Sequence, residues 1–195
     1  AGAAICVFPG STTEKNIASL FKSKGMKFTP VVIESSKQLV GAYMSGRCDV
    51  LAMDQAGLPG HQQYDAKKPA DHLIIPGVYS KEPLGIGVRA GDDQWFDIIK
   101  WVTHATFNAE EWGVSSKNVD SMLKTKDPNV KRLLGASADL GKKLGLDKQW
   151  AYRIIKQVGN YGEIYESNWG PPLSLARGIN NLWTNGGLMY GFPMK

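Results

Sequence analysis

Residues 1–80 alternate between short apolar runs and stretches whose apolar positions recur at helical spacing. The apolar run at residues 3–8 ends at Pro9-Gly10, and Ile17, Leu20 and Phe21 then follow at the spacing of one helix face. Strands that alternate with helices are typical of an α/β fold with a parallel sheet and right-handed crossovers. The pattern predicts strands over residues 3–8, 28–34, 48–53 and 73–75, with helices over residues 12–24, 37–45 and 55–64.

The pattern changes near residue 77. Residues 77–85 contain glycine and proline without a helical pattern, and they predict a hinge between two lobes. A single strand among five helices leaves its own edges unpaired, so we expect the second part to complete a lobe whose sheet lies elsewhere. The pattern predicts that strand over residues 84–89 and the helices over residues 92–112, 116–124, 129–134, 147–160 and 173–183, with Trp150, Ile154, Ile155 and Val158 on one apolar face.

Composition and charge argue against two classes of protein, disordered chains and nucleic-acid-binding proteins. The chain has 195 residues, 43% of them hydrophobic, and a formal net charge of +5, which fits a globular protein rather than a disordered one. Its basic residues are scattered in ones and twos among acids, as at Lys67-Lys68 and Lys142-Lys143. Nucleic acids favour a stripe of Arg and Lys around stacking aromatic side chains. We therefore expect no nucleic-acid partner.

Candidate chemistry lies where the predicted strands end. Ligands of open α/β sheets bind beyond the carboxyl ends of the strands, at the point where neighbouring connections leave in opposite directions. With the strands in the order second-first-third, the loop from Pro9 to Glu14 would meet the loop that carries Asp54. The first loop runs into a helix N-terminus and suits an anion, whereas Asp54 suits an ammonium group. Together they predict a site for a free amino acid.

Simpler interpretations of both loops stay open. The spacing Ser11-x-x-Glu14 is also a capping box, which often does no more than begin a helix. Asp54 could likewise be the N-cap of the helix that follows it. Cys6 and Cys48 are either two buried thiols or a single disulfide, since their spacing matches no zinc or redox motif.

Other motifs are weaker. Residues 85–90 match the dinucleotide pattern G-x-G-x-x-A, but they lie inside a predicted strand and precede two aspartates that would repel a pyrophosphate. The three histidines, His61, His72 and His104, are isolated from one another, so we expect no metal site. No nucleophile or phosphate-loop motif is present, and we expect neither a cofactor nor catalytic residues.

Six segments, spread over the whole chain, resemble the general amino-acid-binding proteins of bacterial ABC importers. The stretch Cys6-Val7-Phe8-Pro9-Gly10-Ser11-Thr12-Thr13 is one of them, and Ser45-Gly46-Arg47-Cys48-Asp49-Val50, followed by Asp54, is another. The others are residues 80–85, 91–97, 131–135 and 159–164.

The resemblance implies a two-lobed, type II periplasmic binding fold that closes on a free L-amino acid and delivers it to a membrane permease. Residues 1–79 would form the second lobe, with strands in a 2-1-3-4 type order. Residues 80–84 would be the hinge, and residues 85–195 would return to the first lobe and add a helical C-terminal extension. The implied location is the periplasm.

Carried over by position, Phe8 would line the pocket for the ligand side chain. Thr12 and Thr13 would meet the ligand carboxylate, and Ser11 would shape the loop or contact the ligand. Asp54 would bind the α-ammonium group. The family also has cysteines at positions that match Cys6 and Cys48, which implies a disulfide here.

The chain departs from the family in one large respect. Family members carry roughly a hundred further residues, about the size of a small domain, before the strand that opens this chain. That segment supplies most of the first lobe, including an arginine that binds the ligand carboxylate, and Arg47, Arg89 and Arg177 do not match its position. We expect the missing segment to be a partner of this chain. The alternatives on the same fold are a sensory domain and a dehydratase-like enzyme with Asp54 as its acid or base.

Overall fold

The computed structural model describes residues 2–77 and 79–194. These residues form two compact units, which divide as Ala1–Leu84 and Gly85–Lys195. We refer to them as the N-terminal unit and the C-terminal unit, and each is described by itself. No helix in the described ranges is both long and apolar enough to cross a lipid bilayer.

The N-terminal unit is built on a parallel sheet in the order β2-β1-β3, which confirms the predicted order of the first three strands. Cys6 in the central strand lies opposite Val31 on one side and Leu51 on the other. Pro30 is tolerated because it lies in an edge strand. The elements are β1 (Ala4–Val7), α1 (Thr12–Ser23), β2 (Thr29–Val32), α2 (Ser36–Met44), β3 (Val50–Leu51) and α3 (Leu58–Tyr64).

The core of this unit contains a disulfide between Cys6 and Cys48, which confirms the pairing that the resemblance implied. The two Cα atoms are 5.6 Å apart, and both residues are buried with Leu39 and Ala42 of α2. The bond joins the central strand to the turn that precedes β3. It therefore fixes the start of β3 to the central strand within the core of this unit.

Two predicted strands are wrong. No ladder forms over residues 73–75, where Leu73 is 82% exposed, so the fourth strand of the 2-1-3-4 order is not found in the described part of the chain. Residues 84–89 also form no strand, and Leu84 is 77% exposed. The physical reason is the same in both places. An apolar run becomes a strand only when a neighbouring strand takes up its backbone hydrogen bonds, and the described residues of each unit offer none there.

The C-terminal unit is helical. The Asp92 side chain caps its first helix by accepting from the Trp95 amide at 3.0 Å, and Asp127 caps a later one. The helices are α4 (Asp93–Glu111), α5 (Val119–Met122), α6 (Pro128–Leu133), α7 (Trp150–Val158), α8 (Tyr161–Asn168) and α9 (Gly170–Leu173).

Three details of this unit differ from the prediction. The helix expected over residues 173–183 is absent, since α9 ends at Leu173 and only short 3₁₀ turns follow at Gly178–Asn180 and Trp183–Asn185. Helix α8 was not predicted. Val158, expected on the apolar face of α7, is mostly exposed.

The core of the C-terminal unit lies between α4, α6 and α7. Ala105 and Ala109 of α4 pack with Leu133 of α6 and with Trp150 and Ile155 of α7, all of them buried. The last described residues return to this core, because Met194 is also a buried member of it. The chain end is therefore part of the packing of the unit.

Candidate ligand-binding site

The carboxyl ends of β1 and β3 lie side by side. Ile5 pairs with Val50 and Cys6 with Leu51, and the Ala52 amide donates to the Cys6 carbonyl oxygen at 3.0 Å. Neighbouring strands are about 4.8 Å apart. The loop after β1 and the loop after β3 therefore leave the same edge of the sheet from adjacent positions.

The loop after β1 is closed by its own hydrogen bonds. Gly10 has a φ of +67°, a left-handed conformation that glycine adopts without strain. The Ser11 hydroxyl donates to the Phe8 carbonyl oxygen at 2.7 Å and accepts from the Glu14 amide at 3.1 Å. The Glu14 carboxylate accepts from the Gly10 amide at 2.8 Å. Ser11 therefore caps α1, but the capping box is incomplete, because the Glu14 carboxylate accepts from the Gly10 amide and not from the Ser11 amide.

Thr12 and Thr13 are the first two residues of α1. The backbone N–H groups of a first helical turn have no acceptor within the helix, and they form the positive end of its dipole. Neither threonine hydroxyl has a hydrogen-bond partner among residues 2–77 or 79–194. Two amides and two hydroxyls are therefore free to bind an anion at this end of α1.

Asp54 lies three residues beyond β3 and is exposed. Its backbone carbonyl oxygen accepts from the Gly57 amide at 3.0 Å, but in the described ranges its carboxylate has no hydrogen bond and no ion pair. The N-cap of α3 is Gly57, so the interpretation of Asp54 as a helix cap is wrong. Its charge remains free for a cationic group.

Phe8 is the first residue after β1, and its side chain is 43% exposed although the three residues before it are buried. The sheet topology brings this ring, the threonines of α1 and the Asp54 carboxylate to one edge. The Glu14 carboxylate adds a further negative charge beside the loop after β1. In the sequence, the spacing Ser11-x-x-Glu14 indicates its position. No group of three or more metal-ligating side chains occurs in the part of the chain that the structure describes.

Known proteins similar to this chain share one role. The general L-amino acid-binding periplasmic protein of Rhizobium johnstonii is 49% identical across the whole chain. The glutamate/glutamine/aspartate/asparagine-binding protein of Rhodobacter capsulatus is 44% identical, also across the whole chain. Over its whole length, this chain is thus similar to bacterial amino-acid-binding proteins. It spans 58% of the length of each of these two relatives.

A solved structure supports the same relationship. An ABC transporter periplasmic binding protein from Brucella ovis, with glutathione bound, is 49% identical to this chain and matches all of it with a TM-score of 0.95. The match covers 62% of the Brucella ovis chain. The predicted fold, an α/β parallel sheet of the type II periplasmic binding class with a helical remainder, is thereby confirmed. No family model matches the sequence.

Proposed function

We propose that this chain is the ligand-binding part of the periplasmic component of an amino-acid ABC importer. It binds a free L-amino acid and delivers it to a membrane permease. One observation supports the proposal: β1 and β3 are parallel neighbours, so the loop that leads into α1 and the loop that carries the unpaired Asp54 leave the same edge of the sheet. A zwitterionic ligand needs groups of both signs in its site.

Each residue has a chemical role in this proposal. The amides and hydroxyls of Thr12 and Thr13 hold the ligand carboxylate, which also gains from the positive end of the α1 dipole. Asp54 accepts hydrogen bonds from the α-ammonium group, and charge-assisted bonds of this kind are stronger than neutral ones. The exposed Phe8 ring covers the apolar part of the ligand side chain. Ser11 holds the loop in shape, since its hydroxyl is already used within it.

The role of the rest of the polypeptide follows from the length of the relatives. This chain spans 58% of the relatives named above, and a clamp that closes around a ligand needs contacts from both sides. We infer that the remaining length supplies the opposite side of the site, including a cationic partner for the carboxylate. In that arrangement residues 1–79 form one lobe, residues 80–84 the hinge, and residues 85–195 part of the other.

The chain binds its ligand without changing it. The relatives named above are binding proteins. Within the proposed site the Glu14 carboxylate is used by the Gly10 amide, and Asp54 binds the ammonium group, so neither carboxylate is left to act as an acid or base. The sensory alternative has no observation in its favour.

The test is a calorimetric titration of the chain with the twenty amino acids and with glutathione, whose γ-glutamyl end carries a free α-amino and α-carboxylate group. The variants are Asp54→Asn and, as a matched control, Asp71→Asn, an exposed carboxylate in a 3₁₀ turn of the same unit. Loss of a charge-assisted hydrogen bond predicts about 10- to 100-fold weaker binding for Asp54→Asn and no change for the control.

Equal affinities in the two variants would contradict the site. When the isolated chain gives no heat signal, the same two substitutions are compared at the matching positions of the full-length Rhizobium johnstonii relative. There Asp54→Asn is again expected to weaken binding, and unchanged binding would reject the proposed role.

A further inference from the structure

The last described residues of the C-terminal unit fold back onto α4. We call residues 190–194 the C-terminal tail. Met194 is 7% exposed and belongs to the apolar core of the unit, and its carbonyl oxygen accepts from Arg132 at 3.4 Å. Gly191 lies so close to α4 that an added Cβ would come within 2.1 Å of the Asn108 side-chain oxygen. The tail therefore packs tightly on this helix.

One residue of the tail is held at both of its backbone groups. The Phe192 amide donates to Nδ1 of His104 at 3.3 Å, and the Phe192 carbonyl oxygen accepts from Nδ2 of Asn108 at 2.9 Å. His104 and Asn108 are four residues apart on α4 and so lie on one face of it. The His104 and Phe192 rings also stack, with centroids 4.1 Å apart and planes at 26°.

The contact at Phe192 needs a neutral imidazole. Nδ1 can accept from an amide only while it carries a lone pair; a proton there places two donors against each other. Burial and the nearby charge of Lys100 both lower the pKa of His104, as expected for a ring that is held in its neutral form.

The surroundings of His104 contain few other charges. Lys100 is one turn earlier on the same helix, and Trp101 and Phe107 place their rings 5.9 and 6.2 Å from the imidazole. From the tail, the Phe192 ring faces it, and the phenol of Tyr190 packs on Phe192. Lys195 lies outside the described residues. Among the described groups, His104 is thus the one at this contact that titrates near neutral pH.

We propose that His104 is a pH-sensitive latch for the C-terminal tail: the neutral ring holds Phe192 on α4, and protonation releases the tail and withdraws Met194 from the core. The neutral form is favoured in the latched state. Latching is therefore complete above the ordinary histidine pKa and is lost as the pH falls through the lowered pKa of the latched protein. The stacking of the two rings and the hydrogen bond from Asn108 do not titrate. Protonation therefore changes the relative populations of the bound and released tail and does not unfold the unit.

The experiment is amide exchange by NMR on the full chain across the titration of His104, with exchange rates corrected by an unstructured reference peptide. Phe192 and Met194 are the reporters, and Pro193 between them has no amide. Loss of one hydrogen bond and its replacement by two opposed donors predict that the protection of Phe192 falls about threefold to tenfold on protonation. The imidazole signals of His104 should titrate at the same midpoint.

Two variants make the test specific. His104→Asn keeps an acceptor near the position of Nδ1 but does not titrate, so protection of Phe192 should no longer depend on pH in this range. His61→Asn, the matched control, removes a histidine of the N-terminal unit and should leave the pH dependence intact. Constant protection of Phe192 in the wild type, or the same acid-induced loss in His104→Asn, would overturn the latch.

Discussion

The guanidinium of Arg177 binds the carboxylate of Glu110 through both of its terminal nitrogens, across 67 residues of sequence. The two side chains are only 11% and 15% exposed. The rings of Tyr161 and Tyr165 lie 5.2 and 5.7 Å from the guanidinium carbon. The pair therefore fastens the segment after α9 to the end of α4 in a largely dry environment.

Arg177→Met should leave the Glu110 carboxylate buried without its partner. Removing one member of a buried pair costs about 3 kcal/mol, and the double variant Glu110→Gln/Arg177→Met should recover much of that loss. Urea unfolding followed by tryptophan fluorescence measures this, because all six tryptophans lie in the C-terminal unit. Lys156→Met breaks the exposed pair with Asp120 and should change stability far less. An equal loss in both variants would show that burial of the Glu110–Arg177 pair is not what matters.

Loss of the disulfide should destabilise the N-terminal unit alone. Cys6 and Cys48 are 42 residues apart in sequence, and a cross-link over such a loop is worth about 4 kcal/mol. The Cys6→Ala/Cys48→Ala variant should therefore unfold at lower urea when followed by far-UV circular dichroism. The tryptophan transition of the C-terminal unit serves as the internal control and should stay in place. A shared shift of both transitions would contradict the prediction.

Ser11→Ala should weaken the start of α1. The Ser11 hydroxyl caps the Glu14 amide and also donates to the Phe8 carbonyl oxygen, and loss of an N-cap costs about 1 kcal/mol. The measurement is the thermal midpoint by circular dichroism, together with faster exchange of the Glu14 amide. Ser23→Ala at the other end of the same helix is the control, since that hydroxyl only donates to the Leu20 carbonyl oxygen. Unchanged exchange of Glu14 would argue against the cap.

Acid should destabilise the C-terminal unit through Glu163. Burial raises the pKa of this carboxyl, but hydrogen bonds from Ser116 and Asn160 outweigh it, so the folded protein holds the pKa below its ordinary value of 4.5. The unfolded chain then binds more protons in this range. The stabilisation is complete above pH 4.5 and disappears as the pH falls through the lowered pKa.

Glu163→Gln should reduce the slope of the unfolding free energy against pH. The reduction corresponds to less than one proton taken up on unfolding. Glu166→Gln on the exposed side of the same helix is the control and should keep the wild-type slope. The measurement is a series of urea unfolding curves between pH 3 and 6, a range of roughly one and a half units on each side of the ordinary glutamate pKa. A wild-type slope in Glu163→Gln would place the acid sensitivity elsewhere.

Local pattern predicted the elements whose partners lie within the described chain. The apolar run at residues 3–8 became β1 because two later segments pair with it. Residues 73–75 and 84–89 are also apolar runs but form no strand. Periodicity shows which face a segment could bury, but it does not show whether a neighbouring strand is present to pair with it. Helix α8 was missed although its signal was present, since Asn160 and Glu163 form a complete capping box.

The candidate site was predicted in part. The sequence places the loop after β1 and Asp54 at strand ends, and the sheet order makes them neighbours. Whether a hydroxyl is free depends on geometry: Ser11 is used within its loop, whereas Thr12 and Thr13 are not. Spacing could not separate these cases, because a cap and a ligand contact use the same residue types at the same helix end. The roles of these residues in binding stay predictions.

The central position of β1 has a consequence for how the N-terminal unit assembles. Both strands that flank β1 follow it in the chain, and the second of them ends at Leu51. A pair of strands alone is marginal in water, so the ladder around β1 cannot close while only β2 is available. Cys6 likewise has no thiol to pair with before Cys48 arrives. The sheet of this unit is therefore completed only by a strand of two residues, which lies more than forty residues after β1.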